Sequence, residues 1–146
     1  MKKRDRKTVL VFGVFDLLHP GHVAFLRAAA RHGAVTAVVT RDAKVLREKG
    51  RRPAFSERER LAMVAALKHV ERAVLGDKWA RWSVVERLAP DVICVGHDQD
   101  ARHPKFLAQA SRLPMRPKIV RIAGHRPRKY SSTRLKLEIH RSAKTG

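Results

Sequence analysis

The apolar residues of this chain fall into five short and almost continuous runs, separated by longer segments of mixed polarity. The runs cover Thr8 to Gly13, Val35 to Thr40, Arg72 to Gly76, Asp91 to Gly96 and Lys118 to Ala123. Apolar runs without alternation predict strands that are covered on both faces, as in parallel sheets. Because helical segments separate the runs, the pattern predicts βαβ units with right-handed crossovers. We therefore expect an α/β fold: a single doubly wound, Rossmann-like, five-stranded parallel sheet with helices on both faces.

The segments between the runs carry helical spacing and helix-end residues. The first predicted helix extends from Pro20 to about His32, and Gly33 is its expected C-cap. Its predicted inner face consists of Val23, Leu26 and Ala30. Ser56 followed by Glu59 has the form of a capping box and predicts the start of another helix. Further helices are expected over 42–48, 80–88 and 104–112, and a last one, capped at 131 or 132, carries Leu135 and Ile139.

The length of 146 residues predicts one domain. We expect a basic, flexible N-terminal segment over residues 1–7 and a single folded domain over 8–146. The one cysteine, Cys94, lies inside an apolar run, which predicts a small core residue and a reducing compartment. No apolar run approaches the roughly 20 residues that a membrane span needs. The charged N-terminus is not followed by an apolar signal region, so we expect a cytoplasmic protein.

The charge balance is strongly positive, with 33 Lys and Arg against 13 Asp and Glu, which gives a net charge of +20. Such a charge favours anionic partners: nucleotides, phosphates or nucleic acid. A basic nucleic-acid-binding protein is therefore one alternative of a different functional class. The chain lacks a recognisable aromatic-basic RNA motif and a paired-helix DNA-reading pattern, so we expect any nucleic-acid binding to be non-specific.

The segment Phe12 to His22 combines a strand end, a tight turn and a helix start. Gly13 allows a sharp turn, Gly21 allows the close approach of a ligand, and Pro20 suits the first helical turn. His19 and His22 lie three residues apart where free N–H groups and the positive end of the helix dipole point outward. This arrangement predicts a phosphate-binding site.

The predicted topology places a second strand end beside this segment. Ligands of doubly wound sheets bind beyond the carboxyl ends of the strands, at the point where the strand order reverses. We therefore expect Gly13 and Gly96, at the ends of the first and fourth strands, to face the site together.

The segment from Gly13 to His22 resembles the signature of the cytidylyltransferase-like nucleotidyltransferases, and the resemblance extends over nearly the whole chain. Near the C-terminus, Ser131-Ser132-Thr133 resembles the Ser-Thr motif of that family. The resemblance implies transfer of a nucleotidyl group from a nucleoside triphosphate to a substrate phosphate, with release of pyrophosphate. It also makes a homodimer an expectation.

Two branches of the family compete. The segments 52–55, 73–77 and 96–99 look most like archaeal-type FAD synthases, which transfer AMP from ATP to FMN. The alternative is a cytidylyltransferase that uses CTP and acts on glycerol 3-phosphate or another small phospho-alcohol. That branch usually has Arg-Tyr-Val-Asp where this chain has Lys68-His69-Val70-Glu71. It also favours Gly-Asp-Asp-Trp over the sequence found at 96–99.

The resemblance implies roles for particular side chains. The catalytic candidates are His19, His22, Lys49 and Arg60. The nucleotide-binding candidates are Gly13, Val14, Phe15, His19, Gly21, His22, Lys44, Gly96, Asp98, Ser132 and Thr133. Arg60 has a competing interpretation as half of a helix-surface ion pair with Glu57 or Glu59. No residues have metal-ligand spacing, so we expect Mg²⁺ to be carried mainly by the triphosphate.

Overall fold

The computed structural model describes residues 6–78, 82–97, 104–126, 129 and 131–145. A parallel sheet with the strand order β3-β2-β1-β4-β5 forms its centre. The strands are β1 (Thr8–Gly13), β2 (Ala34–Val39), β3 (Arg72–Leu75), β4 (Val92–Gly96) and β5 (Lys118–Ile122). The predicted doubly wound α/β fold is confirmed, and the strand order reverses between β1 and β4. Val11 lies opposite Cys94, and both strands end two residues further on, at Gly13 and Gly96.

The described helices follow the predicted order along the chain. They are α1 (Pro20–Ala30), α2 (Asp42–Lys49), α3 (Glu57–Ala65), α4 (Ser83–Leu88), α5 (Pro104–Ala110) and α6 (Ser132–Thr145). The capping box at the start of α3 is confirmed. The Ser56 hydroxyl accepts from the Glu59 amide at 3.2 Å, and the Glu59 carboxylate accepts from the Ser56 amide at 3.1 Å. None of the helices formed by the described residues is both long enough and apolar enough to cross a bilayer.

Two apolar clusters cover the two faces of the sheet. On one face, Leu26 and Ala29 of α1 and Val64 of α3 pack on side chains of β1, β2 and β4. On the other face, Val84 and Val85 of α4 join buried residues of the same strands. Both faces are thus buried, which explains why the strands read as continuous apolar runs.

Cys94 of β4 has no exposed surface and belongs to the core, as predicted. Burial raises the pKa of its thiol to about 11, because a thiolate would lose its hydration there. The thiol is therefore an inert packing group rather than a nucleophile.

Two local predictions about α1 were wrong. The helix ends at Ala30 with Arg31 as a right-handed C-cap, so Gly33 does not cap it. Of the predicted apolar face, Leu26 is buried and Ala30 packs partly buried against the core, but Val23 is 44% exposed and Ala29 is buried in addition. The apolar spacing was correct for a helix, but the sheet covers a different stripe of α1 than the spacing suggested.

Gly33 has a different function, at the entry to β2. Its φ angle is +153°, and a Cβ atom there would lie 2.1 Å from the Lys7 carbonyl oxygen. That oxygen accepts a hydrogen bond from the Ala34 amide at 2.8 Å, so it is fixed in place. Only glycine allows β1 and β2 to approach each other at this point.

We predict that Gly33→Ala lowers the free energy of unfolding by about 3 kcal/mol, because it combines an unfavourable φ angle with a clash against fixed backbone. Gly50→Ala is the matched control. Gly50 has a φ angle of +70°, but no atom lies within 4 Å of its added Cβ, so the expected loss is about 1 kcal/mol. Urea unfolding of both variants measures the difference, and equal losses would contradict the assignment.

Candidate active site

The side chains of His19 and His22 form a reciprocal cap at the N-terminus of α1. His19 is the N-cap, and its Nδ1 accepts from the Gly21 amide at 3.1 Å. In return, the Nδ1 of His22 accepts from the His19 amide at 3.2 Å. Two imidazoles therefore take the parts that Ser and Glu usually take in a capping box. The cap fixes both rings, whose centroids are 3.8 Å apart and whose planes are inclined by 32°.

These hydrogen bonds also fix the tautomer of each ring. A ring nitrogen that accepts a hydrogen bond carries no proton, so each neutral imidazole carries its proton on Nε2. Burial lowers the pKa of His19 below 6.5. Burial and the neighbouring His19 lower the pKa of His22 to about 4, against the opposing effect of the Asp16 carboxylate. Near neutral pH, the site thus presents two uncharged rings with Nε2–H donors.

The loop between β1 and α1 is strained at two positions. Phe15 and Leu17 have φ angles of +53° and +43°, which are unfavourable for residues with a side chain. Gly13 itself is not left-handed, so the expectation that it provides the sharp turn was wrong. A Cβ on Gly13 would lie 2.8 Å from the Phe15 ring, and that buried ring lies 5.6 Å from the His22 ring. Gly13 therefore allows Phe15 to fold back and support His22.

Asp16 connects this loop to two distant parts of the chain. Its buried carboxylate accepts from the amides of Ala54 and Phe55 at 2.8 and 3.1 Å, just before α3. It also accepts from the Lys136 ammonium of α6 at 2.6 Å. Burial raises the pKa of the carboxyl, but the Lys136 hydrogen bond, the two amides and the lysine charge outweigh that effect and lower it below 3.8. Asp16 is therefore ionised in the folded protein.

The N-terminus of α6 lies beside the same loop. The Ser131 hydroxyl caps this helix by accepting from the Arg134 amide at 3.1 Å. The Ser132 hydroxyl donates to the carbonyl oxygen of Asp16 at 2.5 Å. Thr133 is exposed in the first turn. The loop of Asp16 thus brings the positive ends of two helix dipoles, α1 and α6, to one place.

Arg60 does not have the exposed position that the sequence suggested. Its side chain is completely buried. Its guanidinium donates to the carbonyl oxygens of Phe55 and Val14 at 3.0 and 2.7 Å and to the Asp42 carboxylate at 2.7 Å. The surface ion pair with Glu57 or Glu59 was also a wrong prediction, since Asp42 is the partner. Arg60 joins β1 to the starts of α2 and α3, and its donors are directed at protein oxygens rather than at solvent.

The starts of α2 and α3 cap each other. The Glu57 carboxylate accepts from the Asp42 amide, and the Asp42 carboxylate accepts from the Glu57 amide, both at 3.2 Å. The Arg41 guanidinium donates to the Glu57 carboxylate at 3.1 Å and to the Gly76 carbonyl oxygen at 2.9 Å. These hydrogen bonds connect the end of β3 to the two helix starts. This network fixes the carboxyl ends of β1, β2 and β3, the platform on which the candidate site lies.

The remaining candidate residues include two lysines of α2 and the glycine that ends β4. Lys44 is in α2 and forms a half-exposed i,i+4 pair with Glu48 at 3.8 Å. Lys49 is exposed in the last turn of α2. Gly96 ends β4, the neighbour of β1 in the sheet, whereas Asp98 lies outside the described residues.

Sequence reasoning missed Lys136 and the structural use of Asp16. A usable signal was present, because Lys136 follows Ser132 by four residues and therefore lies on the same face of α6. What the sequence did not show is which carboxylate that face meets. The geometry provides two fixed imidazole donors and two helix N-termini, an arrangement suited to binding and polarising phosphoryl oxygens.

The depressed histidine pKa values predict acid sensitivity. The unfolded chain binds a proton at His22 near pH 6.5, but the folded protein does so only near pH 4. Stability is therefore fully present above pH 6.5 and is lost as the pH falls toward 4, by about 3 kcal/mol. His22→Asn, which keeps an acceptor near the Nδ1 position, should weaken this dependence.

Urea unfolding of the wild type and of His22→Asn at several pH values between 4 and 7 measures the effect. The exposed His140 provides the control, and His140→Asn should keep the wild-type pH dependence. An unchanged pH slope in His22→Asn would contradict the buried, neutral ring.

We predict that Lys136→Met destabilises the protein by about 2 kcal/mol, because it leaves the buried Asp16 carboxylate without its cation. Amide hydrogen exchange over 132–145 should accelerate as α6 loosens from the loop. Arg134→Met, which removes an exposed pair with Glu138, should change stability by no more than about 0.5 kcal/mol. Asp16→Asn combined with Lys136→Met should recover part of the loss, and a simple sum of the two effects would argue against the coupling.

The chain is similar to known proteins over most of its length. The profile of the cytidylyltransferase-like family matches residues 10–138. The FAD synthase of Aciduliprofundum boonei is 39% identical over 86% of this chain and 85% of its own. That of Thermoplasma volcanium is 34% identical over 90% and 92%, and that of Methanopyrus kandleri is 47% identical over 64% and 65%.

A solved structure shares the fold. The lipopolysaccharide core biosynthesis protein from Thermoplasma volcanium GSS1 superposes with a TM-score of 0.74 at 36% identity, over 82% of this chain and 98% of that one. The resemblances stated from the sequence, to the family and to its archaeal FAD synthases, are confirmed by these similarities. The chain is a nucleotidyltransferase, and it belongs to the cytidylyltransferase-like family.

Proposed function

We propose that this protein is an FAD synthase that transfers AMP from ATP to FMN. Support comes from several archaeal relatives of that name, three of which match over 85% or more of their own length. The observation that carries the proposal is the reciprocal histidine cap at the N-terminus of α1. We assign the Nε2–H groups of these two fixed rings, together with the N-termini of α1 and α6, to the oxygens of the triphosphate.

The chemistry requires positioning more than proton transfer. A phosphate oxygen of FMN attacks the α-phosphorus of ATP, and the bond from that phosphorus to the bridging oxygen breaks as pyrophosphate leaves. The nucleophile is already ionised near neutral pH, so no strong base is needed. His19 and His22 donate from Nε2 to the phosphoryl oxygens, on which charge accumulates in the transition state. The neutral rings suit this role, since their donors are held in place by the Nδ1 hydrogen bonds.

The N-terminus of α6 serves as a second phosphate contact. Asp16 holds it beside α1 through Ser132 and Lys136. We assign the first-turn amides of α6 and the Thr133 hydroxyl to the β- and γ-phosphates. Gly13, Val14, Phe15 and Gly21, from the end of β1 to the start of α1, and Gly96 at the end of β4 are also assigned to the nucleotide. Asp98 is assigned to the nucleoside. Lys44 and Lys49 of α2 are proposed to contact the incoming phosphate.

Mg²⁺ is proposed to enter with the triphosphate. The described residues contain no group of three side chains suited to holding a metal ion. Asp16, the carboxylate closest to the histidines along the chain, is fully engaged by two amides and Lys136. These contacts fit a site in which protein groups bind the phosphate oxygens and the phosphate oxygens bind the cation. A bound ion would supply charge neutralisation to the leaving pyrophosphate.

An enzyme of this kind would work in the cytoplasm, where ATP is abundant, and its single buried thiol suits a reducing compartment. We also propose that the protein forms a homodimer, and analytical ultracentrifugation measures its mass in solution.

The proposal predicts FAD and pyrophosphate formation from ATP and FMN. Replacing His19 or His22 by Ala should lower kcat by about 10² to 10³, as removal of a transition-state donor does in other enzymes. His22→Gln, which carries an amide N–H near the Nε2 position, should retain more activity than His22→Asn. His140→Ala on the exposed side of α6 should behave as the wild type. Chromatographic detection of FAD together with a coupled pyrophosphate assay measures the wild type and the five variants.

Reactions with CTP in place of ATP, and with glycerol 3-phosphate in place of FMN, identify the substrates. Turnover confined to CTP and glycerol 3-phosphate would overturn the FAD synthase proposal and favour the cytidylyltransferase alternative. Full activity in the His19→Ala and His22→Ala variants would overturn the assigned histidine role.

A further inference from the structure

The end of the sheet opposite the histidines is strongly basic. This amino-terminal edge comprises residues 6–8, 31–34, 66–72, 87–92 and 111–118, which lead into the five strands. Backbone hydrogen bonds join Ala34 to Lys7, Asp91 to Thr8 and Lys118 to Asp91, and they join Glu71 to Val35, the residue that follows the segment 31–34, at 2.8 to 3.0 Å. The edge is thus one continuous surface that is built from every strand of the sheet.

Nine basic side chains lie on this edge, and all nine are exposed. They are Arg6, Lys7, Arg31, Lys68, Arg72, Arg87, Arg112, Arg116 and Lys118. In the same segments the acidic residues are Glu71 and Asp91. Glu71 pairs with Arg6 at 3.3 Å, and Asp91 accepts from the amide and hydroxyl of Thr8 at 2.8 and 3.1 Å. Most acidic residues of the chain lie outside the edge, so the net positive charge per residue is higher in the edge than in the whole chain.

Nucleotidyl transfer does not use this charge. A six-residue strand is roughly 20 Å long, so the edge lies about that far from the histidine site. Exposed charges are largely screened beyond about 8 Å at physiological salt. The edge therefore neither contacts the substrates at the site nor attracts them there efficiently.

The edge also contains a hollow of about 400 Å³. Arg6, Lys68 and His69 line it together with Glu71 and the backbone around Gly33. A hollow of this size next to three cationic or titratable side chains can receive a sugar–phosphate unit. The five strands side by side span roughly 19 Å, which matches several successive phosphates of a nucleic-acid strand.

The composition of the edge favours nucleic acid over a membrane. Six of the nine cations are arginines, which bind phosphate in a bidentate manner. Membrane-surface binding usually adds apolar side chains that enter the acyl region. Among described residues, the large exposed apolar side chains are Val23, Leu46, Leu137 and Ile139, and none of them belongs to the edge. The edge segments contain no Phe, Trp or Tyr for base stacking, which favours contact with the backbone of a duplex.

We infer that the amino-terminal edge of the sheet is a binding surface for the phosphate backbone of double-stranded nucleic acid, independent of the nucleotidyltransferase site. Binding there is electrostatic and sequence-independent, since phosphate contacts carry no base information.

The test uses fluorescence anisotropy with a labelled duplex of about 20 base pairs, titrated at several salt concentrations between roughly 50 and 200 mM. The edge variant is Lys68→Glu with Arg112→Glu, and the matched control is Arg141→Glu with Lys144→Glu on α6. Both variants change the net charge equally and alter exposed side chains only. The edge variant should bind the duplex at least tenfold more weakly than the wild type, and the slope of log K against log salt concentration should fall by about 2 in magnitude. Both effects should be much smaller in the control. Thermal unfolding and FAD synthesis should match the wild type in both.

Three outcomes would overturn the inference. Equal weakening in the two variants would mean that the charge acts diffusely, without a defined surface. Failure of the wild type to bind the duplex throughout the salt range would remove the surface altogether. Binding to phosphatidylcholine–phosphatidylserine vesicles in preference to the duplex, in a sedimentation assay, would assign the edge to membranes. Because FAD synthesis is measured separately, none of these outcomes bears on the proposed enzymatic function.

Discussion

The buried carboxylate of Asp16 is the contact on which the candidate site depends. It binds the amides of Ala54 and Phe55, which lie 38 and 39 residues away in sequence, and the ammonium of Lys136, 120 residues away. The loop that carries it is strained at Phe15 and Leu17, so local preference would not hold this shape. The ion pair and the two hydrogen bonds from backbone amides together stabilise one arrangement of the loop, the segment before α3 and the helix α6.

This arrangement has an electrostatic consequence. Two cations that contact the loop, Arg60 and Lys136, are paired with the carboxylates of Asp42 and Asp16. The histidines are neutral, because burial lowers the pKa of both rings. At this loop, the groups that we propose to bind the triphosphate are therefore oriented N–H groups and two helix N-termini. Such fixed dipoles need little reorganisation when charge develops in a transition state, which is the property that phosphoryl and nucleotidyl transfer require.

Much of the fold was predictable from short-range pattern. The continuous apolar runs predicted the five parallel strands, and the alternation with helices predicted the doubly wound topology, in which the neighbouring strands β1 and β4 end at Gly13 and Gly96. Ser56 and Glu59 predicted the start of α3, and the two histidines were expected at the start of α1. The structure adds that these histidines cap the helix with their Nδ1 atoms. Asp98 and the assigned roles of the site residues stay predictions.

The errors came from groups whose partners are distant along the chain. Nothing near Arg60 in sequence shows that its guanidinium reaches the Val14 carbonyl oxygen, 46 residues earlier, and is buried there. The need for glycine at position 13 likewise comes from the folded-back Phe15 ring. The sequence alone determined strands, helices and helix ends, because these depend on periodicity and on neighbours within about four residues. Only the tertiary structure decided which charges are buried and paired, because the stability of a buried charge depends on the partners that the whole fold brings to it.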